Sequence, residues 1–185
     1  VFAMTHPRRG APALLETGPI ASAVAEQYWG GGAFHLGAHQ AVKFTAKPCS
    51  FARARLPAGS GPDRLRQDLE DAAAGGLCFT FYVQFQRDPF RTPIEDASRE
   101  WTEADAPLVP VGRITFPPQR LADDAARAAR CTSLSFNPWH GLAAHQPMGH
   151  INRARRFVYA ASASKRGSTS EPRDFEGFDA PPTVE

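Results

Sequence analysis

Residues 63–86 read DRLRQDLEDAAAGGLCFTFYVQFQ, and this stretch decides the fold. Its first half predicts an amphipathic helix over Asp63–Ala74, because leucine and alanine recur there at helical spacing. Gly75 and Gly76 then end the helix. In Cys78–Gln86, Phe and Val alternate with Thr, Tyr and Gln, which is typical of a strand with one apolar face. The sequence therefore predicts a helix that turns directly into a strand.

Further strands and helices are expected on both sides of this unit. The strands are His35–Lys47 and Leu108–Phe116, and the helices are Leu121–Arg130 and His150–Lys165. The 17 prolines favour many loops and strand edges over a helical bundle. Strands and helices in this order indicate the α+β class.

Composition excludes several functional classes. The 185 residues suit one domain, and a net charge of +2, from 21 basic and 19 acidic residues, gives no strong attraction to nucleic acid. No stretch approaches the apolar length of a membrane span, and the N-terminus lacks the pattern of a signal peptide. The chain starts on Val1, which suggests an alternative start codon or a chain cut from something longer.

Three cysteines bear on the cellular compartment. Cys49, Cys78 and Cys131 are odd in number, widely spaced and free of any C-x-x-C motif. This pattern predicts three reduced thiols in a cytoplasmic protein, with a secreted protein carrying one leftover cysteine as the alternative.

The most informative candidate site lies in HINRARRFVYAASASKR, residues 150–166. At about 100° per residue, Arg155, Tyr159 and Arg166 fall within roughly 40° of one another on a helix. A tyrosine oxygen can hold haem iron as tyrosinate, and a cation one turn away favours that ionised form. Arg166, about 10 Å further along the axis, could bind a cofactor carboxylate. The alternatives are an amphipathic helix with one buried tyrosine and a basic face for nucleic acid.

Other clusters of residues give weaker evidence for a functional site. His140, His145 and His150 recur every five residues. Neither on a helix nor on a strand would this spacing place the three imidazoles on one side, so we expect loop histidines and no shared metal ion. The carboxylates around Trp101 are interpreted as a solvated loop. The triple glycine Gly30–Gly32 lacks the context of a phosphate loop and is interpreted as a flexible connection.

The region from residue 40 to residue 166 resembles the catalase family, especially the shorter bacterial catalase-related haem proteins. Four segments resemble the second half of that family's core, in the same order. They are QAVKFTAKPC (40–49), DLEDAAAGGLCFTFYVQFQ (68–86), VPVGRITFPPQ (109–119) and LSFNPWHGLAAHQPMGHINRARRFVY (134–159).

The resemblance implies an architecture. The fold would be part of an antiparallel catalase-type β-barrel with flanking helices. Residues 27–166 would form the C-terminal part of the core domain, after an irregular segment over 1–26 and before a disordered tail over 167–185.

The resemblance also implies a function: haem-dependent breakdown of hydrogen peroxide in the response to oxidative stress. Tyr159 occupies the position of the iron ligand, Arg155 that of its catalytic neighbour, and Arg166 a propionate-binding position. The expected cofactor is haem with its iron, and the expected partner is a small-molecule peroxide rather than nucleic acid or a membrane. A homo-oligomer is also expected to be possible.

The family's distal histidine and asparagine have no counterpart in this sequence, so the chain is expected to carry the proximal haem side only. Three interpretations follow: part of a catalase-like enzyme whose N-terminal half lies elsewhere, a degenerate haem-binding protein, or a structural remnant without cofactor. A relative that processes organic hydroperoxides has the same fold, and the sequence does not choose between the two oxidants.

Overall fold

The computed structural model describes residues 20–49, 61–121 and 125–168. These residues form an antiparallel sheet with helices beside it. In chain order the elements are β1 (Tyr28–Trp29), β2 (Phe34–Leu36), β3 (Gln40–Pro48), α1 (Arg64–Gly75), β4 (Leu77–Phe85), β5 (Leu108–Phe116), α2 (Ala125–Ser133), a 3-10 turn (Ala143–His145) and α3 (Gly149–Lys165).

The sheet has five strands, all antiparallel, in the order β1, β3, β4, β5, with β2 pairing to β3 as well. Phe44 of β3 lies opposite Val83 of β4, and Phe81 lies opposite Gly112 of β5, next to a break in register. Among the described residues the sheet stays open. The predicted barrel is therefore confirmed only in its antiparallel strands, and its closure is not, because β5 ends the path at an edge.

The helix-to-strand unit forms as its sequence predicts. The helix α1 ends one residue later than expected, and β4 starts one residue earlier. Gly76 joins them with φ +83°, a conformation that favours glycine. A Cβ atom there would also lie 3.2 Å from the carbonyl oxygen of Phe116. The glycine thus lets β4 pass directly from α1 to its place beside β5.

A small core closes one side of β4. Its buried members are Ala33, Trp101 and Ala106. The buried amide of Gln84 donates to the carbonyl oxygens of Trp101 (2.9 Å) and Ala106 (2.8 Å), and the Trp101 indole donates to the Pro93 carbonyl oxygen (2.9 Å). The connection after β4 lacks regular structure, yet these bonds fasten it to the sheet.

Other predicted boundaries shift modestly. The expected strand His35–Lys47 is split by a turn into β2 and β3, and the helix expected at Leu121–Arg130 is observed at Ala125–Ser133. Residues 20–27 form turns, and the rest of the irregular N-terminal prediction lies outside the described residues. So does the predicted disordered tail from residue 169 onward. Within the described ranges, no helix is long and apolar enough to cross a membrane.

The cysteine prediction is wrong for two of the three thiols. Cys49 and Cys78 form a disulfide, with Cα atoms 5.4 Å apart, whereas Cys131 is free and exposed. Pairing of Pro48 with Phe79 brings the end of β3 to the start of β4, which places the two cysteines side by side. Disulfides persist in oxidising environments. The predicted cytoplasmic location therefore loses the support that it drew from reduced cysteines.

Candidate functional site

The candidate site lies on α3, whose first turn is fastened by Glu95. One carboxylate oxygen of Glu95 accepts a hydrogen bond from the backbone N–H of His150 (2.8 Å). The same oxygen lies 2.9 Å from Nδ1 of the His150 ring. The guanidinium of Arg153 donates to both carboxylate oxygens, at 3.0 and 3.2 Å. The loop after β4 therefore holds the start of the helix by its backbone and by two side chains.

These contacts set the charge state of Glu95. The hydrogen bond from Arg153 is the main reason that the pKa of Glu95 falls from 4.5 to about 2; slight burial opposes it and the His150 bonds add to it. The carboxylate therefore stays ionised throughout the neutral range. The side chain is 59% exposed, so solvent screens this pairing.

The structure brings Arg155 and Tyr159 together, as their spacing predicts. The Nη2 atom of Arg155 donates to the Tyr159 hydroxyl oxygen at 3.1 Å, and both side chains are half-buried. The guanidinium carbon also lies 5.1 Å from the centre of the tyrosine ring. One cation thus contacts both the ring and the oxygen of Tyr159.

Arg166 follows α3 and lines the same cleft as Tyr159. Its Nη1 atom donates to the carbonyl oxygens of Thr132 and Leu134, each at 3.2 Å. These bonds tie the end of α3 to the last turn of α2 and to the residue that follows it. The spacing correctly predicts a shared side of the helix for Tyr159 and Arg166, but it gives no hint of the two carbonyl partners.

The cleft between these residues has a volume of about 240 Å³. Its walls combine the two predicted side chains with apolar and hydroxyl groups: Ser135, Phe136, Val158, Tyr159, Ser162 and Arg166. Phe136 is 72% exposed and Val158 is 63% exposed. The cleft therefore combines a tyrosine, an arginine and exposed apolar side chains in its walls, and Arg155 contacts Tyr159 from outside this set of lining residues.

The two other arginines of the helix differ from each other. The haem interpretation gives no task to Arg153 or Arg156, so it predicts that both face outward. Arg153 does so, in its bond to Glu95. The expectation is wrong for Arg156, which is half-buried with its guanidinium 5.2 Å from the Trp139 ring centre. That indole in turn donates to the Asn152 carbonyl oxygen at 3.1 Å, so a loop tryptophan covers this side of α3.

Two residues of the triple glycine, Gly31 and Gly32, are packed against α3, which the interpretation as a flexible connection missed. A Cβ atom at Gly31 would lie 3.0 Å from Nη1 of Arg155, and one at Gly32 would lie 2.7 Å from Nδ2 of Asn152. The glycines themselves are the signal that the sequence contains, because a backbone that approaches a helix closely needs small residues. They do not specify which helix is approached.

A larger cleft, of about 600 Å³, lies between the triple glycine, the sheet and the core loop. Lys43 lines it, with its ammonium nitrogen 4.8 Å from the Trp101 ring centre. Burial lowers the pKa of Lys43, and the charge of Glu100 partly opposes that. None of the three predicted site residues lines this cleft.

The three histidines have different hydrogen-bond partners and do not face a common site. His150 contacts Glu95, the ring of His145 lies 3.4 Å from the His35 carbonyl oxygen, and the backbone N–H of His140 donates to Asn137. Across residues 20–49, 61–121 and 125–168, no three His, Cys, Asp or Glu side chains gather as metal ligands.

Two solved catalases have a similar fold. A bacterial catalase matches with a TM-score of 0.73 and 20% identity, over 90% of this chain and 36% of that one. A fungal catalase matches with a TM-score of 0.64 and 20% identity, over 79% of this chain and 32% of that one. No protein-family model and no curated protein matches the sequence. The chain therefore has a catalase-like fold, and it spans about a third of the length of the catalases that it matches.

Proposed function

We propose that this chain forms the proximal side of a haem site, with Tyr159 as the iron ligand, in a protein that breaks down hydrogen peroxide. The observation that carries the proposal is the 3.1 Å hydrogen bond from Arg155 to the Tyr159 oxygen. Tyr159 lines a cleft that Arg166 also lines, in a chain with a catalase-like fold.

The donor chemistry of the cleft fits a haem. A phenol oxygen beside a guanidinium suits ligation as tyrosinate, since the cation stabilises the negative oxygen. Only Nη1 of Arg166 donates within the described part of the chain, which leaves Nε and Nη2 to bind a carboxylate in the cleft. Phe136 and Val158 supply exposed apolar surface for a flat ring.

The size of the cleft fits one wall of such a site. Pockets for cofactors usually enclose about 300–1,000 Å³, and this cleft is smaller, at about 240 Å³. The chain also spans about a third of the catalases that it matches. We infer that the opposite wall comes from elsewhere, either from a further part of the same protein or from a second copy.

In this proposal each residue has one task. Arg155 holds the Tyr159 oxygen in place, while Arg166 binds a haem carboxylate and keeps its bonds to α2 and the residue after it. When bound, haem would supply the iron at which peroxide reacts. We propose hydrogen peroxide over an organic hydroperoxide because of the resemblance to the catalase family.

Haemin titration of the purified chain tests the proposal, with Tyr159→Phe as the decisive variant. Tyr82→Phe is the matched control, because it removes a phenol oxygen from β4, away from the cleft. We expect saturable uptake by the chain and by the control, and loss of uptake in Tyr159→Phe with the fold retained. Unchanged uptake and spectrum in Tyr159→Phe would contradict the assignment.

The same samples separate the alternatives. Peroxide consumption by the loaded chain supports an enzyme, whereas stable loading without turnover supports a haem-binding protein that needs another part for chemistry. No specific uptake by the parent chain supports the structural remnant and removes the proposal.

A further inference from the structure

Asn152 carries a fully buried polar side chain on α3. It is 0% exposed and lies three residues before Arg155. A buried amide costs free energy unless its hydrogen bonds are satisfied, so both its donor and its acceptor need partners.

Both ends of the amide are used. Its Nδ2 atom donates to the carbonyl oxygens of Ala33 (2.8 Å) and Met148 (3.0 Å). Its Oδ1 atom accepts a hydrogen bond from Nη1 of Arg155 at 3.0 Å. Because Nη2 of the same guanidinium donates to Tyr159, a continuous chain of bonds joins the Ala33 backbone to the tyrosine oxygen.

The triple glycine closes this arrangement from the other side. A Cβ atom at Gly31 would lie 3.0 Å from Nη1 of Arg155, and one at Gly32 would lie 2.7 Å from Nδ2 of Asn152. The glycine backbone therefore lies directly against both side chains, at a distance that suits residues without a Cβ atom.

We propose that Asn152 is a positioning residue, which orients Arg155 so that its second nitrogen reaches the oxygen of Tyr159. An amide suits the position because it donates at one end and accepts at the other. Aspartate would set a carboxylate oxygen against two carbonyls, and leucine would offer Arg155 no acceptor. The inference rests on the proposed function for its consequence, haem affinity, but its geometry is independent of haem.

A double-mutant cycle on haemin affinity tests the coupling. Asn152→Ala should weaken affinity about tenfold, as expected for the loss of one hydrogen bond to a charged group. In an Arg155→Met background, the same substitution should change affinity by less than about twofold. An equal loss in both backgrounds would overturn the proposal, since it would mean that Asn152 acts through general packing.

Two further variants keep the test decisive if Asn152→Ala folds poorly. Asn152→Asp retains an oxygen for Arg155 but loses the donors to Ala33 and Met148, so stability should fall while haemin affinity stays near that of the parent. Thr92→Val removes a different buried hydroxyl, which donates to the Asp88 carbonyl oxygen. It should cost stability without loss of affinity. Affinity that merely follows stability across these variants would overturn the proposal.

A readout without haem separates this inference from the proposed function. In the NMR spectrum of the haem-free chain, the Arg155 guanidinium nitrogens should give distinct, slowly averaging signals, because both Nη atoms are hydrogen-bonded. Arg155→Lys assigns these signals by removing them. In Asn152→Ala these signals should merge, because the guanidinium can rotate. In Tyr159→Phe they should stay partly distinct. Signals unchanged in Asn152→Ala contradict the positioning role, whereas failure of haem uptake alone contradicts only the proposed function.

Discussion

The two halves of α3 are held in different ways, although they belong to one helix. The first half is fastened to distant parts of the chain: Asn152 bonds to Ala33, 119 residues away, and Arg153 bonds to Glu95. In the second half, Ala163 is the buried residue, and Arg166 holds the helix end by exposed bonds to two backbone carbonyls. The firmly held first half thus carries Asn152 and Arg155, which contact the proposed iron ligand directly or through each other, whereas Tyr159 itself and the proposed carboxylate binder belong to the second half and its end.

The largest stability effect should follow from disturbing the first half at Gly32. In Gly32→Ala the new methyl group would meet Nδ2 of Asn152 at 2.7 Å, and that atom is fixed by two hydrogen bonds. Overpacking of this kind costs about 1–3 kcal/mol in free energy of unfolding. Denaturant titration measures it, with Gly141→Ala as the control because a Cβ atom there meets nothing within 4 Å. Equal stability of the two variants would show that the first half is not tightly packed.

A smaller effect is expected in the second half. Arg166→Met removes two hydrogen bonds to carbonyl oxygens from an exposed side chain, so the free energy of unfolding should fall by at most about 1 kcal/mol. Haemin affinity should fall more clearly than the free energy of unfolding, because a haem carboxylate would lose its guanidinium partner. The adjacent Lys165→Met is the control, and an equal loss of affinity there would assign the effect to net charge alone.

The smallest effect concerns Glu95 and depends on pH. Since the pKa of Glu95 is lowered from 4.5 to about 2 in the folded chain, its stabilisation is complete above pH 4.5. It is lost as pH falls from 4.5 through 2. Glu95→Gln should therefore lower the free energy of unfolding by less than about 1 kcal/mol at pH 7, given its exposure.

Unfolding curves of the parent and of Glu95→Gln, recorded from pH 7 downward, measure this difference. The gap between them should shrink below pH 4.5. A gap that is constant down to pH 2 would mean that Glu95 acts through packing and not through its charge.

The sequence predicted what depends on neighbouring residues and missed what depends on distant ones. The contact between Arg155 and Tyr159 is set by helical spacing, and the turn from α1 to β4 is set by Gly75 and Gly76, so both were foreseen. The disulfide of Cys49 depends on the register of β3 with β4, which no local pattern specifies.

The partners of α3 were missed for the same reason. The bond from Asn152 to Ala33 and the packing of Gly32 join segments more than 100 residues apart. Asparagine at a helical position is unremarkable in sequence, since its role appears only when the triple glycine is folded against it. Barrel closure was expected from family resemblance, and the described strands end in an open edge at β5.

The most direct test of the central claim is the resonance Raman spectrum of the haemin-loaded chain, prepared with ordinary and with ring-deuterated tyrosine. Ligation by Tyr159 predicts tyrosinate modes that shift with the isotope and vanish in Tyr159→Phe but persist in Tyr82→Phe. A loaded chain whose spectrum lacks tyrosinate modes, or keeps them in Tyr159→Phe, would contradict the account.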